Sequence, residues 1–335
     1  MNLKLAGQRR AKMLWTAVVA IAGVGVCAFA GLALFLWLGT PRGTSGSIEM
    51  SWPPHDAKGG TVRLLAVGDT GTAGNEQFHV AAAMETVCNR AKDKPFDGIL
   101  LLGDNFYPSG VASTTDDQWQ EKFEKPYGSA CLAGLPVYPV LGNHDYRLSP
   151  QAQIDYFAVQ PRWRMPGRFY SVDFGPVARL VALDTNRFDW CGSSGNCVFD
   201  FMKSRLVTAK GAWRILTGHH PMASSSTHGP AYDGTFFAHT VRGAVCDRAD
   251  FYLSGHAHQL EHLQFQGCKA DFVVAGSGGA DIGKVRDPGK ETKFLKAGHG
   301  FVTMELTPSK ATVVFHDSSS PAVPEIYRFE RVRKI

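Results

Sequence analysis

Five apolar runs along the chain share one ending, a glycine followed at once by Asp, Asn or His. Runs of this kind are typical of strands buried on both faces of a parallel sheet. They are Leu64–Gly71, Leu100–Tyr107, Val137–Asp145, Arg214–Pro221 and Phe251–His258. Because the carboxyl ends of parallel strands meet at one edge of a sheet, we expect these five polar ends to converge on one site.

The remaining pattern predicts helices between the early strands and mostly strands afterwards. Helical spacing of apolar residues predicts a helix over 77–91. Shorter helices are expected over 117–125 after a Ser/Thr/Asp cluster that can supply the cap, over 151–157 after Pro150, and over 200–208. Gly175-Pro176 predicts a hairpin between 168–174 and 177–183. Apolar runs predict the later strands at 262–265, 272–275, 301–306, 312–316 and 326–329. This order indicates two facing sheets with helices outside.

The N-terminal segment differs from the rest of the chain. Met13–Leu38 carries no formal charge, follows the basic segment 1–12, and is long enough to span a bilayer as one helix. The positive-inside rule keeps residues 1–12 in the cytoplasm and exports everything after the helix. The alternative is a cleaved signal peptide and a secreted protein, since Ala28-Phe29-Ala30 resembles a small-residue cleavage site.

Residues 39–60 are rich in Gly, Ser and Pro without periodicity, so we interpret them as a linker before one folded domain over 61–335. The chain of 335 residues is 44% hydrophobic, which is enough for a full core. Five basic residues near the N-terminus account for the net charge of +5. The rest of the chain is neutral, which argues against nucleic acid as a partner.

The number of cysteines is consistent with export to an oxidising compartment. One of the seven, Cys27, lies in the predicted membrane segment and leaves an even number in the exported part. Cys191 and Cys197 enclose a short flexible loop suited to a local disulfide, but the sequence leaves the pairing open. The chain contains no Cys-x-x-Cys, so disulfides are a better interpretation than a metal site.

The polar strand ends offer enough carboxylate, amide and imidazole donors for two adjacent cations. Their ordered motifs Gly-Asp, Gly-Asp-x-x-Tyr, Gly-Asn-His-Asp, Gly-His and Gly-His-x-His resemble those of the calcineurin-like metallophosphoesterases. The longer strings AVGDTG, LGDNFY, GNHD, GHHP, THGP and SGHAHQLEHLQ are similar to those of the tartrate-resistant purple acid phosphatases. The resemblance covers Thr61 to the C-terminus and implies a four-layer α/β/β/α sandwich of two mixed sheets.

The resemblance also implies which residues bind metal. It assigns a ferric ion to Asp69, Tyr107 and His258, a divalent ion (Fe(II), Zn(II) or Mn(II)) to Asn143, His219 and His256, and the bridge between them to Asp104. Gly71 stands where much of the superfamily has a metal-binding histidine, and Tyr107 compensates for it. A phenol gives up its proton only to a strongly polarising ion, so Tyr107 indicates ferric iron. His219 is preferred to His220 because the family places its ligand directly after the glycine.

Two further histidines are candidate catalytic residues. A dinuclear centre holds a phosphate ester and lowers the pKa of a bound water, so that a metal-activated hydroxide attacks phosphorus. His144 in GNHD and His228 in THGP are then placed to protonate the leaving group or to bind the phosphate. We expect Asp145 to orient His144 or to cap a turn.

The sequence therefore predicts a membrane-anchored, exported acid phosphatase with a monomeric catalytic domain that hydrolyses small phosphomonoesters. One alternative is a phosphodiesterase or nucleotide pyrophosphohydrolase on the same site, since one dinuclear centre can serve several phosphoesters. Another is a catalytically inactive binding module, which the full set of ligand residues disfavours.

Overall fold

The computed structural model describes residues 48–50, 60–91, 93, 95–186, 197–209, 212–228 and 241–333. The membrane segment predicted over 13–38, most of the predicted linker and the loop that begins at Cys191 lie outside these residues. Within the described part of the chain, no helix combines the length and apolar character needed to cross a bilayer.

Fourteen strands are found among the described residues. In chain order they are β1 (Ile48–Met50), β2 (Val62–Val67), β3 (Gly98–Leu101), β4 (Val137–Pro139), β5 (Tyr170–Phe174), β6 (Ala178–Ala182), β7 (Trp213–Thr217), β8 (Phe251–Ser254), β9 (Leu260–Leu263), β10 (Asp271–Ala275), β11 (Thr292–Lys296), β12 (Gly300–Leu306), β13 (Lys310–Asp317) and β14 (Glu325–Val332). The α-helices are α1 (Asn75–Arg90), α2 (Ala130–Ala133), α3 (Pro150–Val159), α4 (Cys197–Thr208) and α5 (Arg242–Arg248).

The strands form two mixed sheets. The six-stranded sheet has the order β14-β13-β12-β2-β3-β4, with β2, β3 and β4 parallel and the other pairings antiparallel. The eight-stranded sheet has the order β1-β5-β6-β7-β8-β10-β9-β11, and its centre from β6 to β10 is parallel. Each sheet therefore presents several parallel carboxyl ends, which is the arrangement that the sequence predicted.

Alternating side chains of the eight-stranded sheet divide between two cores. One face packs in the same core as the six-stranded sheet, through residues such as Leu180, Ile215, Phe251, Leu253 and Val273. The other face packs against α4 and α5, through Val181, Leu216, Tyr252 and Phe272 with Met202, Leu206 and Val245. Helix α1 lies against β12 of the six-stranded sheet. The predicted α/β architecture of two mixed sheets is confirmed.

Local signals explain several element boundaries. Helix α3 begins where the sequence predicted, because the Ser149 hydroxyl accepts the Ala152 N–H at 3.3 Å and Pro150 occupies the first turn. The predicted hairpin forms across Gly175, with Phe174 paired to Ala178. The described residues contain two disulfides, Cys88–Cys131 between α1 and α2 and Cys246–Cys268 between α5 and the turn before β10.

Other elements differ from the prediction. Strand β1 lies in the segment predicted as a linker and pairs in parallel with β5, so the linker prediction does not hold for these three residues. The helix predicted over 117–125 contains a π-helical stretch at Gln120–Glu124. Strand β9 begins two residues earlier than predicted, and β11 and α5 were not predicted at all.

Candidate metal centre

The polar ends of the parallel strands meet, and three of their residues adopt left-handed backbone conformations. Asp69 has φ of 58°, Asp104 has φ of 51° and His256 has φ of 64°. Such conformations cost on the order of 1–3 kcal/mol for residues other than glycine and cluster at functional sites. Gly142 allows the close approach, because a Cβ there would lie 2.1 Å from Asp104 Oδ1.

The first donor cluster surrounds the Tyr107 hydroxyl. Its oxygen lies 3.0 Å from Asp69 Oδ1, 2.9 Å from Asp104 Oδ2 and 3.2 Å from His258 Nε2. One phenolic proton cannot satisfy three such neighbours at once. The arrangement therefore fits a cation among these four side chains, and they are the ligands predicted for the ferric site together with the bridge.

The second donor cluster surrounds the Asn143 side-chain oxygen. Asn143 Oδ1 lies 3.1 Å from His219 Nε2 and 3.0 Å from His256 Nδ1, and the two imidazole nitrogens lie 3.2 Å apart. His219 Nε2 also lies 3.5 Å from Asp104 Oδ2. Asp104 Oδ2 thus faces both clusters, the position that a bridging carboxylate requires.

Neighbouring groups fix the orientation of these ligands. His219 Nδ1 lies 2.9 Å from the Leu102 carbonyl oxygen, and His258 Nδ1 lies 2.7 Å from that of Asp281. A carbonyl oxygen only accepts, so each Nδ1 carries the proton and each Nε2 presents its lone pair to the site. The second oxygen of Asp69 accepts the His256 N–H at 2.8 Å, which holds the two strand ends together.

Burial and charge shift the pKa values of the ligand residues. Burial, with the charges of Asp69 and Asp104, raises the pKa of the Tyr107 phenol far above its usual value. Burial acts to raise the pKa of Asp104, but His219 and His144 together outweigh burial and the pKa is lowered. Burial acts to lower the pKa of His219, but Asp104, Asp69 and the Leu102 carbonyl together raise the pKa of His219 to about 9. The charges of Asp69 and Asp104 thus act on both donor clusters, and negative charge of this kind favours a bound cation.

The donor set fits two cations of different character. Two carboxylates and a phenol are hard, anionic oxygen donors that suit a ferric ion, whereas the amide and two imidazoles suit a divalent one. His220 is also near, since it offers a ligand atom within 4.8 Å of those of His219 and His256. Its Nδ1, however, lies 2.9 Å from the buried Thr185 Oγ1.

The two candidate catalytic histidines lie against rings of the donor clusters. The His144 ring packs on Tyr107 with centroids 4.4 Å apart, and its Nδ1 lies 2.7 Å from the Pro108 carbonyl oxygen. The exposed His228 ring lies 4.9 Å from that of His256. The structure therefore brings together all nine residues that the sequence singled out.

Asp145 and Arg147 complete the surroundings of His144. Asp145 is fully buried and accepts the N–H groups of Gly142, Asn105 and Phe106, so it caps the ligand loops and does not contact the His144 ring. Burial, and then the charge of Asp104, raises the pKa of Asp145 to about 7. Arg147, which the sequence reasoning missed, places Nη2 3.3 Å from His144 Nε2. The only sequence signal for this role of Arg147 is its position four residues after Asn143.

Comparisons with known proteins agree with this geometry. The profile of the calcineurin-like phosphoesterase family matches residues 62–260. Tartrate-resistant acid phosphatase type 5 of Oryctolagus cuniculus is 30% identical over 293 residues, an alignment that covers 78% of this chain and 89% of that protein. Purple acid phosphatase 3 of Arabidopsis thaliana is 29% identical over 282 residues, covering 77% of this chain and 75% of that one.

A solved structure described as GAP50, the anchor in the inner membrane complex of Plasmodium, is similar in fold. The TM-score is 0.68 at 24% identity, and the match covers 82% of this chain and 90% of that chain. The prediction of a metallophosphoesterase hydrolase is confirmed by the family match and the named relatives. The chain belongs to the calcineurin-like phosphoesterase family, and its relatives within that family are tartrate-resistant and purple acid phosphatases.

Proposed function

We propose that this protein is an acid phosphatase that hydrolyses phosphomonoesters at a dinuclear centre of one ferric and one divalent ion. The observation that carries the proposal is the position of Asp104, whose Oδ2 lies 2.9 Å from Tyr107 Oη and 3.5 Å from His219 Nε2. A carboxylate that faces two donor clusters at once fits a pair of adjacent cations better than a single one. The activities named for the rabbit and Arabidopsis relatives support the same reaction.

The ligand residues have separate tasks in this proposal. Asp69, Tyr107 and His258 would hold the ferric ion, Asn143, His219 and His256 the divalent ion, and Asp104 both. When bound, the two cations neutralise the phosphate and activate the water that attacks phosphorus. The orientation of His219 and His258 by backbone carbonyls prepares the site, so little reorganisation is needed when metal and substrate bind.

The groups that assist the leaving alkoxide would be His228 and the pair formed by His144 and Arg147. With Nδ1–H directed to Pro108, His144 presents Nε2 to the Arg147 guanidinium, so this pair forms a positively charged wall beside Tyr107. His228 is exposed and stands over the His256 ring, where it can donate a proton or bind a phosphate oxygen.

Steady-state kinetics with a phosphomonoester and a matched phosphodiester test the reaction class. We expect a higher kcat/KM for the monoester, because two cations and the surrounding imidazoles suit a dianionic phosphate. Faster turnover of the diester would contradict the monoesterase assignment and favour a phosphodiesterase. A protein that loads with metal and hydrolyses neither ester would contradict the proposal and favour a binding module.

A further inference from the structure

Glu261 on β9 is a buried carboxylate outside the metal ligands. Its side chain is fully buried, and among the described residues it forms no ion pair. Removing a charge from water is costly unless hydrogen bonds compensate for it. The partners that satisfy Glu261 therefore indicate what the residue does in the fold.

Four donor groups satisfy this carboxylate, and two of them belong to one residue of the loop that carries His228. Oε2 accepts the Ser225 N–H at 2.9 Å, and Oε1 accepts the Ser225 hydroxyl at 2.6 Å. The Gln259 amide donates to Oε2 at 2.6 Å, and the Thr292 hydroxyl donates to Oε1 at 3.0 Å. Glu261 thus joins the backbone and side chain of Ser225 to strand β9.

A second path of hydrogen bonds runs from Gln259, which also bonds Glu261, through Ser224 and Ser226 to His228. The Gln259 amide also donates to Ser224 Oγ at 3.0 Å, and that oxygen accepts the Ser226 N–H at the same distance. Ser226 Oγ in turn accepts the His228 N–H at 3.1 Å. These three hydrogen bonds are 3.0 to 3.1 Å long. The conformation of segment 224–228 therefore depends on the anchor at Glu261.

The opposite flank of segment 224–228 is fixed by the chain after the last ligand. The Arg286 N–H donates to the Ser225 carbonyl oxygen at 2.7 Å, and the Thr227 N–H donates to that of Lys284 at 2.8 Å. The segment therefore lies between residues 284–286 and the Glu261 carboxylate. This confinement holds the His228 ring 4.9 Å from the His256 ring.

Strand β9 links this anchor to the metal centre. It begins two residues after His258, which faces Tyr107, and it carries Glu261 as its second residue. A shift of β9 would move the proposed ligand and the His228 loop together. The strand therefore sets the distance between the donor clusters and the group that stands over them.

We propose that Glu261 is a positioning residue that holds His228 over the metal centre for protonation of the leaving group. This inference rests on the function proposed above, because it assigns His228 to the leaving-group side of the reaction. Glu261 acts only through the loop and touches neither substrate nor metal.

The test compares two esters that differ in their leaving group. p-Nitrophenolate departs without a proton, whereas the alkoxide of glycerol 2-phosphate needs one, so loss of the proton donor slows the alkyl ester selectively. In the full-length protein, Glu261→Ala should lower kcat for glycerol 2-phosphate by about tenfold, with kcat for p-nitrophenyl phosphate and both KM values changed by less than about twofold. Glu261→Gln should restore the wild-type ratio, because an amide can accept from the Ser225 N–H and donate to the hydroxyls.

A double-mutant cycle with His228→Ala separates positioning from a general loss of structure. If Glu261 acts through His228, Glu261→Ala adds no further loss in the His228→Ala background. An equal loss for both esters, or additive losses in the cycle, would overturn the inference and leave the proposed function intact. A wild-type protein inactive on both esters would contradict the proposed function and the inference with it.

Ser225→Ala gives the same test if Glu261→Ala fails to fold. It removes the 2.6 Å contact and keeps the backbone N–H that also reaches the carboxylate. Thr292→Val is the matched control, because it removes another hydroxyl from the same carboxylate outside the loop. We expect Ser225→Ala to slow the alkyl ester selectively and Thr292→Val to keep the wild-type ratio. Equal effects of the two substitutions would overturn the inference.

Discussion

Asp104 meets several structural requirements of the site at once. It adopts a left-handed conformation, is almost fully buried, and directs one oxygen to Tyr107 and His219 while the other accepts the His144 N–H at 2.8 Å. These demands cost folding free energy that the surrounding contacts must offset. The same backbone conformation recurs at Asp69 and His256, so the strand ends hold their ligands at a measurable cost in stability.

The substitution Asp104→Asn tests the bridge. An amide keeps the shape and tolerates the left-handed backbone, but it offers one neutral oxygen in place of two charged ones. We expect both metals to be lost in parallel, which elemental analysis of the purified protein measures. Asp271→Asn, a buried carboxylate that pairs with His262 and Arg331 away from the donor clusters, should keep both. Loss of only one metal in Asp104→Asn would mean that another residue forms the bridge.

The residues that the sequence predicted as ligands lie together in the structure, because each comes at or shortly after an apolar run and a glycine that can be read locally. It did not predict the left-handed conformations or the contact of Arg147 with His144. It left open whether Asp145 orients His144 or caps a turn, because the Asn105 N–H that Asp145 accepts is 40 positions away. Glu261 lies within the string SGHAHQLEHLQ, but its partner Ser225 is 36 positions away in the chain. No local signal connects the two.

At the scale of elements, prediction succeeded where periodicity is long and failed where segments are short. Strand β11 reads TKFLK and lacks a continuous apolar run, and its pairing with β9 supplies the hydrogen bonds that define it. Helix α5 has only seven residues, too few to establish a 3.6-residue period. Strand β1 forms only because β5 offers an edge far along the chain. In each case a distant partner outweighs the local propensity.

Strand β13 carries a buried histidine that should make stability depend on pH. His316 stacks on Phe301 with ring centroids 4.9 Å apart, and its Nε2 lies 2.9 Å from Thr303 Oγ1. Burial lowers the pKa of His316 to about 4. Between about pH 6.5 and 4 the unfolded chain therefore binds more protons than the folded one, so stability falls as the pH falls through this window.

Because of His316, we expect the free energy of unfolding to fall by about 2 kcal/mol when the pH is lowered from 7 to 5. Urea unfolding at the two pH values should show a smaller loss for His316→Phe, which keeps the aromatic stack and cannot be protonated. His79→Gln changes an exposed histidine on α1 and controls for the removal of a histidine as such. An equal loss in wild type and His316→Phe would contradict the assigned cause.

For the whole molecule, the order of strands and helices was enough to predict two mixed sheets with a site at their carboxyl ends. Alternating βα units predict parallel strands, and the later run of strands predicts antiparallel extensions. The strand order within each sheet could not be predicted, because the two neighbours of β2 are β3 and the distant β12. Pairings this distant are set by the assembled core.

The disulfides support the export that we predict from the sequence, and anchoring by residues 13–38 stays a prediction. Cys88–Cys131 and Cys246–Cys268 suit an oxidising compartment. A C-terminal reporter that is active only outside the cytoplasm should therefore be active in cells and remain in the membrane fraction. A cytoplasmic reporter would contradict export. Reporter activity in the medium would instead favour a cleaved signal peptide.

The visible spectrum of the purified full-length protein, combined with metal analysis, tests the central claim most directly. A phenol among Asp69, Asp104 and His258 would bind a ferric ion as the phenolate, and charge transfer from phenolate to ferric iron absorbs visible light. We predict one ferric and one divalent ion per chain, with a visible band that Tyr107→Phe removes. A colourless wild-type protein that is fully loaded with metal and active would contradict the account.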